Sequence, residues 1–282
     1  MSRFPGRASM RIFAGITCAL LASAANADLP TINPTQTFPA PPLTSPAHLA
    51  PYLSTDGHFT LVPVDSGPAA YLYRKDKNGF WRYDTALEPP SGKAAAGGAV
   101  RGNVAVVQGA DTSGAAAAIV FRRSGDVWTV SQSLPIPEQP PSGPYQLIAL
   151  TESTLAVGDF VINDGAGQVQ IYDKVGAGTY VLNATLAPAP ITALPAIHGR
   201  RIVLADSTSD TVLVFESNNG SWKATAQLSG TDPLACSGGR GDFADGTDVS
   251  IALSSTEAFI GCPFAPTGEA FTGVVKVYNL QK

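Results

Sequence analysis

The chain has 282 residues, 44% of them hydrophobic and 14% charged, enough to bury a sizeable core in one domain or two. With 28 glycines and 23 prolines it reads as short strands joined by many turns rather than as a helical protein. Its formal charge of −4 excludes nucleic acid or anionic lipid held by bulk charge.

Residues 1–27 read as a secretory signal peptide. Arg3, Arg7 and Arg11 form a basic start, residues 12–24 (IFAGITCALLASA) are apolar, and Ala25-Asn26-Ala27 offers the small residues of a cleavage site. The apolar run is short for a bilayer span and no later stretch is longer, so no transmembrane segment is expected. Cleavage after Ala27 removes three arginines and no acid, which leaves 15 bases against 22 acids and a net charge of −7. The mature chain, residues 28–282, is expected to be a single domain, exported to the periplasm or secreted, and monomeric.

The first strand signal after the leader is a pair six residues apart, Ile32 and Phe38, followed by FPAPP. The same offset recurs at Trp81 and Leu87, Trp128 and Leu134, Tyr180 and Leu186, and Trp222 and Leu228. Residues an even number apart share a strand face. Trp128, Val130, Gln132 and Leu134 are therefore expected on a packed face, with Thr129, Ser131 and Ser133 in water. Trp222, Ala224, Ala226 and Leu228 form the corresponding set in the fourth copy, opposite Lys223, Thr225 and Gln227. A turn precedes each aromatic (KNG, SGD, GAG, NNG), and before each turn runs a β-rich segment ending in Tyr73, Phe121, Tyr172 or Phe215, with a fifth ending in Tyr278. Earlier still come buried-type strands such as NVAVV and RIVLA, and before those YQLIAL and DVSIAL. Each unit is a four-stranded meander, strands A to D.

The units span residues 46–88, 94–135, 144–187, 193–229 and 247–282. Phe38, Leu87, Leu134, Leu186 and Leu228 are spaced 49, 47, 52 and 42 residues apart. Four-stranded units at this period predict an all-β chain folded as a β-propeller of five blades. The fifth unit stops before any D strand, and residues 31–38 supply one. The expected solution is a ring in which this N-terminal strand completes the last blade, with Pro34 tolerated because D is an edge strand.

The stretches DVSIALSSTEAFIGCP…GVVKVYN and ALTESTLAVGDF…GQVQIYDKVGAGTYVLNATL resemble FG-GAP repeats, the blade unit of integrin-type propellers and of many exported bacterial proteins. The resemblance runs from about Leu49 to the C terminus and is strongest in repeats 2, 3 and 5. It implies the propeller fold and says little of activity. Calcium-binding members of that family carry Asp-x-Asp-x-Asp-Gly between strands A and B. Here those connections read STDG, RGN, TEST, HGR and SSTE, so no calcium site, no other metal and no cofactor is carried over.

Strand direction puts the A–B and C–D connections on one face of the ring and the B–C and D–A connections on the other. The second face holds Asp65, Glu88, Asp111, Glu138, Asp159, Asp164, Asp206, Asp210, Asp232, Asp242, Asp245, Asp248 and Glu269, 13 acids against Lys93 and Arg240. Arg74, Lys75, Lys77, Arg101, Arg122, Arg123, Lys174, Arg200 and Arg201 gather on the first. The longest connection, 229–247, includes RGDFADGTD; Arg240, Asp242, Asp245 and Asp248 are its candidate binding residues, and its Arg-Gly-Asp resembles an adhesion tripeptide. Cys236 lies in this loop and Cys262 begins the B–C connection of the fifth blade on the same face, a pairing suited to an oxidising compartment.

No catalytic constellation emerges. His48, His58 and His198 are scattered, and no nucleophile elbow or phosphate loop is present. The expectation is a binding or surface-interaction module, rather than an enzyme, that offers an acidic loop face to a protein or glycan. The alternative is a carbohydrate-active enzyme or lectin using the central channel, which the apolar or small A strands disfavour.

Overall fold

The computed structural model describes residues 53–63, 66–136, 146–159, 168–176, 178–186, 195–206, 211–228, 250–262, 266–267, 270–271 and 274–281. The signal peptide and the expected closing strand, residues 31–38, lie outside them. The described residues form strands and turns with no helix, and so no helix among them is long and apolar enough to cross a membrane.

In chain order the strands are β1 (Ser54–Thr55), β2 (Phe59–Val62), β3 (Ser66–Gly67), β4 (Ala70–Lys75), β5 (Trp81–Leu87), β6 (Ala94–Arg101), β7 (Val104–Ala110), β8 (Ala116–Ser124) and β9 (Val127–Pro135). There follow β10 (Gln146–Leu150), β11 (Thr154–Asp159), β12 (Val169–Val175), β13 (Thr179–Leu186), β14 (Ala196–His198), β15 (Arg201–Asp206), β16 (Thr211–Asn218) and β17 (Ser221–Leu228). The last are β18 (Ser250–Leu253), β19 (Glu257–Cys262), β20 (Pro266–Thr267), β21 (Ala270–Phe271) and β22 (Val274–Asn279).

They assemble into five antiparallel blades of a β-propeller. Blades 1, 3 and 4 are the meanders β1-β2-β4-β5, β10-β11-β12-β13 and β14-β15-β16-β17. Blade 2 is β6-β7-β8-β9 extended by β3, a two-residue strand lent by the B–C connection of blade 1, where Ser66 and Gly67 pair with Ala95 and Ala94. Blade 5 is β18-β19-β22, with the small hairpin β20-β21 in its B–C connection. Neither β3 nor that hairpin is foreseen by the repeat.

Blades 2, 3 and 4 bury both faces, and alternation decides which neighbour a side chain meets. In blade 2, Ala105, Val107, Ala117, Ile119 and Phe121 join the core shared with blade 1, beside Phe59, Leu61, Leu72 and Tyr73. The intervening Val104, Val106, Ala118 and Val120 join the core shared with blade 3, beside Leu155, Val157 and Tyr172. Ala156, Val169, Ile171 and Leu186 meet Ile202, Leu204, Phe215 and Trp222 at the next seam, and Val203, Val212, Val214 and Leu228 meet Ala258 and Ile260 at the last described one.

The D strands correct the same-face expectation. Trp128 packs toward blade 1 while Leu134 packs toward blade 3. Tyr180 and Leu186 divide in the same way, as do Trp222 and Leu228. Val130, expected inside, is 42% exposed. The cause is a β-bulge at one position in four blades: register shifts between Leu72 and Tyr73, Val120 and Phe121, Ile171 and Tyr172, and Val214 and Phe215. Each leaves one extra D-strand residue, Asp84, Ser131, Asn183 or Thr225, and so reverses the facing beyond it. All four are small and polar, and each binds the adjoining strand. Asp84 meets Arg74 at 3.2 Å, Ser131 Oγ donates to the Val120 carbonyl at 3.1 Å, Asn183 Nδ2 to Asp173 at 2.6 Å, and Thr225 Oγ1 to the Val214 carbonyl at 3.4 Å. In blades 2 to 4 the aromatic–leucine pair is thus a two-sided clamp, one residue for each neighbouring blade, whereas Trp81 and Leu87 of blade 1 belong to the same core.

Blade 5 differs at its outer strand. Val275 and Val277 of β22 are 68% and 54% exposed. Their counterparts before the C-strand aromatic, Ala118 and Val120, Val169 and Ile171, and Val212 and Val214, are at most 2% exposed.

Candidate functional site

The A–B turns that rim one face of the ring are built from capping side chains. Asp56 Oδ1 accepts the backbone N–H of His58 at 2.9 Å and of Phe59 at 2.7 Å. Thr151 Oγ1 accepts those of Ser153 and Thr154, and Ser254 Oγ those of Thr256 and Glu257, so blades 1, 3 and 5 share one device. Asp56 also reaches across the seam, where its Oδ2 accepts the Gly102 N–H at 2.5 Å.

Three of the basic residues assigned to this face, Arg74, Arg123 and Arg201, hold blades or strands together. Asp126 receives Arg74 at 2.8 Å from blade 1 and Arg123 at 2.6 Å from its own blade. Hydrogen bonds from Arg74, then Arg123, hold its carboxyl below the ordinary carboxylate value. Their contribution to stability is therefore present above the ordinary value and lost as pH falls through the depressed one. Asp126 is 80% exposed, and water screens the pair. Arg201 pairs with Glu216 at 2.6 Å and donates to the carbonyls of Ser255 and Leu280, tying blade 4 to blade 5. Gln132 ties blade 2 to blade 3: its amide donates to the Tyr180 carbonyl at 2.7 Å and accepts the Tyr180 N–H at 2.9 Å. Beside it the Arg122 guanidinium lies over Gly178, which adopts φ +118°. Burial raises the Tyr180 phenol above its ordinary pKa, opposed by the Arg122 charge.

This face is concave at the seams of blades 1 to 3. A cavity of about 570 Å³ opens among the A–B turns of blades 1 to 3, lined by Asp56, Arg101, Asn103, Thr151, Glu152 and Lys174 with Tyr180 at the blade 3 side. Arg101 and Lys174 were legible only as members of a basic face. They are 73 residues apart in sequence, and only the blade register brings them to one opening.

On the opposite face, Asp111 is occupied within its own turn. Its Oδ1 accepts the Ser113 N–H at 2.8 Å, the Ser113 hydroxyl at 2.6 Å and the Ala115 N–H at 3.0 Å, and these bonds, the hydroxyl's foremost, lower its pKa. Glu88 and Lys93 are exposed. Asp159 and Asp206 end β11 and β15. Arg240, Asp242, Asp245, Asp248 and Cys236 lie outside the described residues, as does the side chain of Cys262, whose backbone ends β19. Among the described residues no group of His, Cys, Asp or Glu is placed to hold a metal ion. The innermost strands β1, β6, β10, β14 and β18 contain no Asp or Glu, so they bring no carboxylate pair to the channel.

No family model matches the chain, and no curated protein sequence matches it. Solved structures of low identity do. A Lactobacillus plantarum protein is 15% identical over 83% of this chain and 70% of its own, with a TM-score of 0.48. The periplasmic gluconolactonase of Pseudomonas aeruginosa is 16% identical over 64% of this chain, with a TM-score of 0.44; the match spans only 54% of the gluconolactonase. A mutant of the Aleuria aurantia lectin, in complex with a fucosylated GlcNAc, is 12% identical over 76% of this chain and 71% of its own, also at 0.44. At these identities and TM-scores none of them bears on what this chain does; its own described blades make it a five-bladed β-propeller.

Proposed function

We propose that the chain is an exported propeller of FG-GAP type that works as a binding module, recognising a protein or glycan partner through its B–C/D–A loops. The observation that carries this reading is the unequal use of charge on the two faces. On the A–B/C–D face, Asp56, Arg74, Arg123, Asp126, Arg201 and Glu216 are engaged in turns and seams. The other face carries 13 acids to two bases by sequence, on the longer connections of a rigid scaffold, where recognition usually sits. Arg240, Asp242, Asp245 and Asp248 are the residues assigned to contact, in a loop tethered by a Cys236–Cys262 disulfide. Thiol titration of the unfolded, unreduced protein checks the tether, with no free cysteine expected.

The test is a binding screen of the mature protein against a glycan array and a panel of basic proteins, run beside turnover assays on plant and bacterial polysaccharides. Salt-sensitive binding that weakens in the triple variant Asp242→Asn, Asp245→Asn, Asp248→Asn is the expected result. Robust polysaccharide turnover by the wild-type protein would overturn it in favour of a channel enzyme.

A further inference from the structure

The cations at the cavity on the A–B face are held less closely by the fold than the arginines at the seams. At the seam between blades 1 and 2, Asp126 binds two arginines at 2.8 Å or closer. At the seam between blades 4 and 5, Arg201 has a carboxylate at 2.6 Å and two carbonyls. Around the cavity, by contrast, the nearest carboxylate to Arg101 is Glu152 at 3.9 Å, itself 87% exposed at the rim. Lys174 uses its backbone N–H to close a turn onto Ser153, and its ammonium has no ion pair among the described residues. The other acid, Asp56, already accepts the N–H groups of His58, Phe59 and Gly102. Free donors therefore outnumber free acceptors in a space of about 570 Å³, within the range of small-ligand sites. Asn103 adds a neutral amide that can both donate and accept.

The geometry points to a binding site for a small hydroxylated carboxylate, of the sugar-acid class. Arg101 and Lys174 take the carboxylate, displacing Glu152 from its long contact, and Asn103 and the freed Glu152 serve the hydroxyls. Charge-assisted bonds of this kind are the strong ones. The site lies on the face opposite the acidic loops, so its failure leaves the preceding proposal standing.

Calorimetric titration of the full mature protein with glucuronate, glucose and inorganic phosphate tests it. Glucuronate is expected to bind at millimolar concentration or below, and both other probes more weakly. Arg101→Gln and Lys174→Gln should each weaken glucuronate roughly tenfold, whereas Glu152→Gln should tighten it by releasing Arg101. All three side chains are at the surface, and unchanged melting temperatures will show that the variants fold. Absence of glucuronate binding at millimolar concentration overturns the proposal. So does glucose or phosphate binding as well as glucuronate, or a Glu152→Gln variant that binds it less well.

Discussion

Gly178 shows how closely one residue is fitted to a seam. Its φ of +118° lies where side chains are rarely tolerated, and a Cβ placed there would fall 1.1 Å from Nη2 of Arg122. The adjoining Tyr180 backbone is held on both its N–H and its carbonyl by Gln132 from the neighbouring blade. Gly178→Ala is therefore expected to destabilise the protein by about 1–3 kcal/mol, read as a lower denaturation midpoint in urea. Relieving the clash with Arg122→Ala should recover only part of the loss, because the backbone strain remains. A Gly178→Ala protein as stable as wild type would show that this turn is not held as described.

At the scale of the strand, the recurring bulge predicts which residues feel each other. Trp128 meets Phe59 edge to face, ring centroids 5.5 Å apart, across the seam with blade 1, whereas Leu134 packs toward blade 3. A double-mutant cycle to alanine should find Trp128 and Phe59 coupled by about 0.5–1.5 kcal/mol. Trp128 and Leu134 should instead add within about 0.5 kcal/mol. Strong coupling between Trp128 and Leu134 would restore the same-face reading. The aromatic–leucine offset, the meander and the five-fold repeat were all legible in the sequence, because periodic hydrophobicity marks each of them. The facing was not. Asp84, Ser131, Asn183 and Thr225 look like ordinary outward residues of an alternating strand, and only pairing with strand C reveals that each is supernumerary. Two-residue pairings such as β3 are too short to leave a periodic trace. Engagement of Asp56, Asp111 and Asp126 was equally hidden, since composition counts a carboxylate without showing whether backbone or arginine already holds it.

On the scale of the whole molecule, everything above depends on a ring that holds its loops in fixed relative positions. Four seams are closed by the described strands, and β22 of blade 5 leaves Val275 and Val277 exposed where the same positions of blades 2 to 4 are buried. Residues 31–38 match what that edge lacks. Ile32 and Phe38 repeat the six-residue offset, and Thr35 stands three residues after Ile32, where Asp84, Ser131, Asn183 and Thr225 stand after their own aromatics. The expectation that this segment completes the fifth blade, and so joins it to the first, predicts that its removal opens the ring and does not merely fray one end. The decisive measurement compares the melting temperature of the mature protein with that of a variant lacking residues 28–39. If residues 31–38 complete the blade, losing the burial of Ile32 and Phe38, at about 1.5–3 kcal/mol per large side chain, should lower it by on the order of 10 °C. An unchanged melting temperature would mean that the N-terminal segment does not complete the fifth blade and that the ring is closed in some other way.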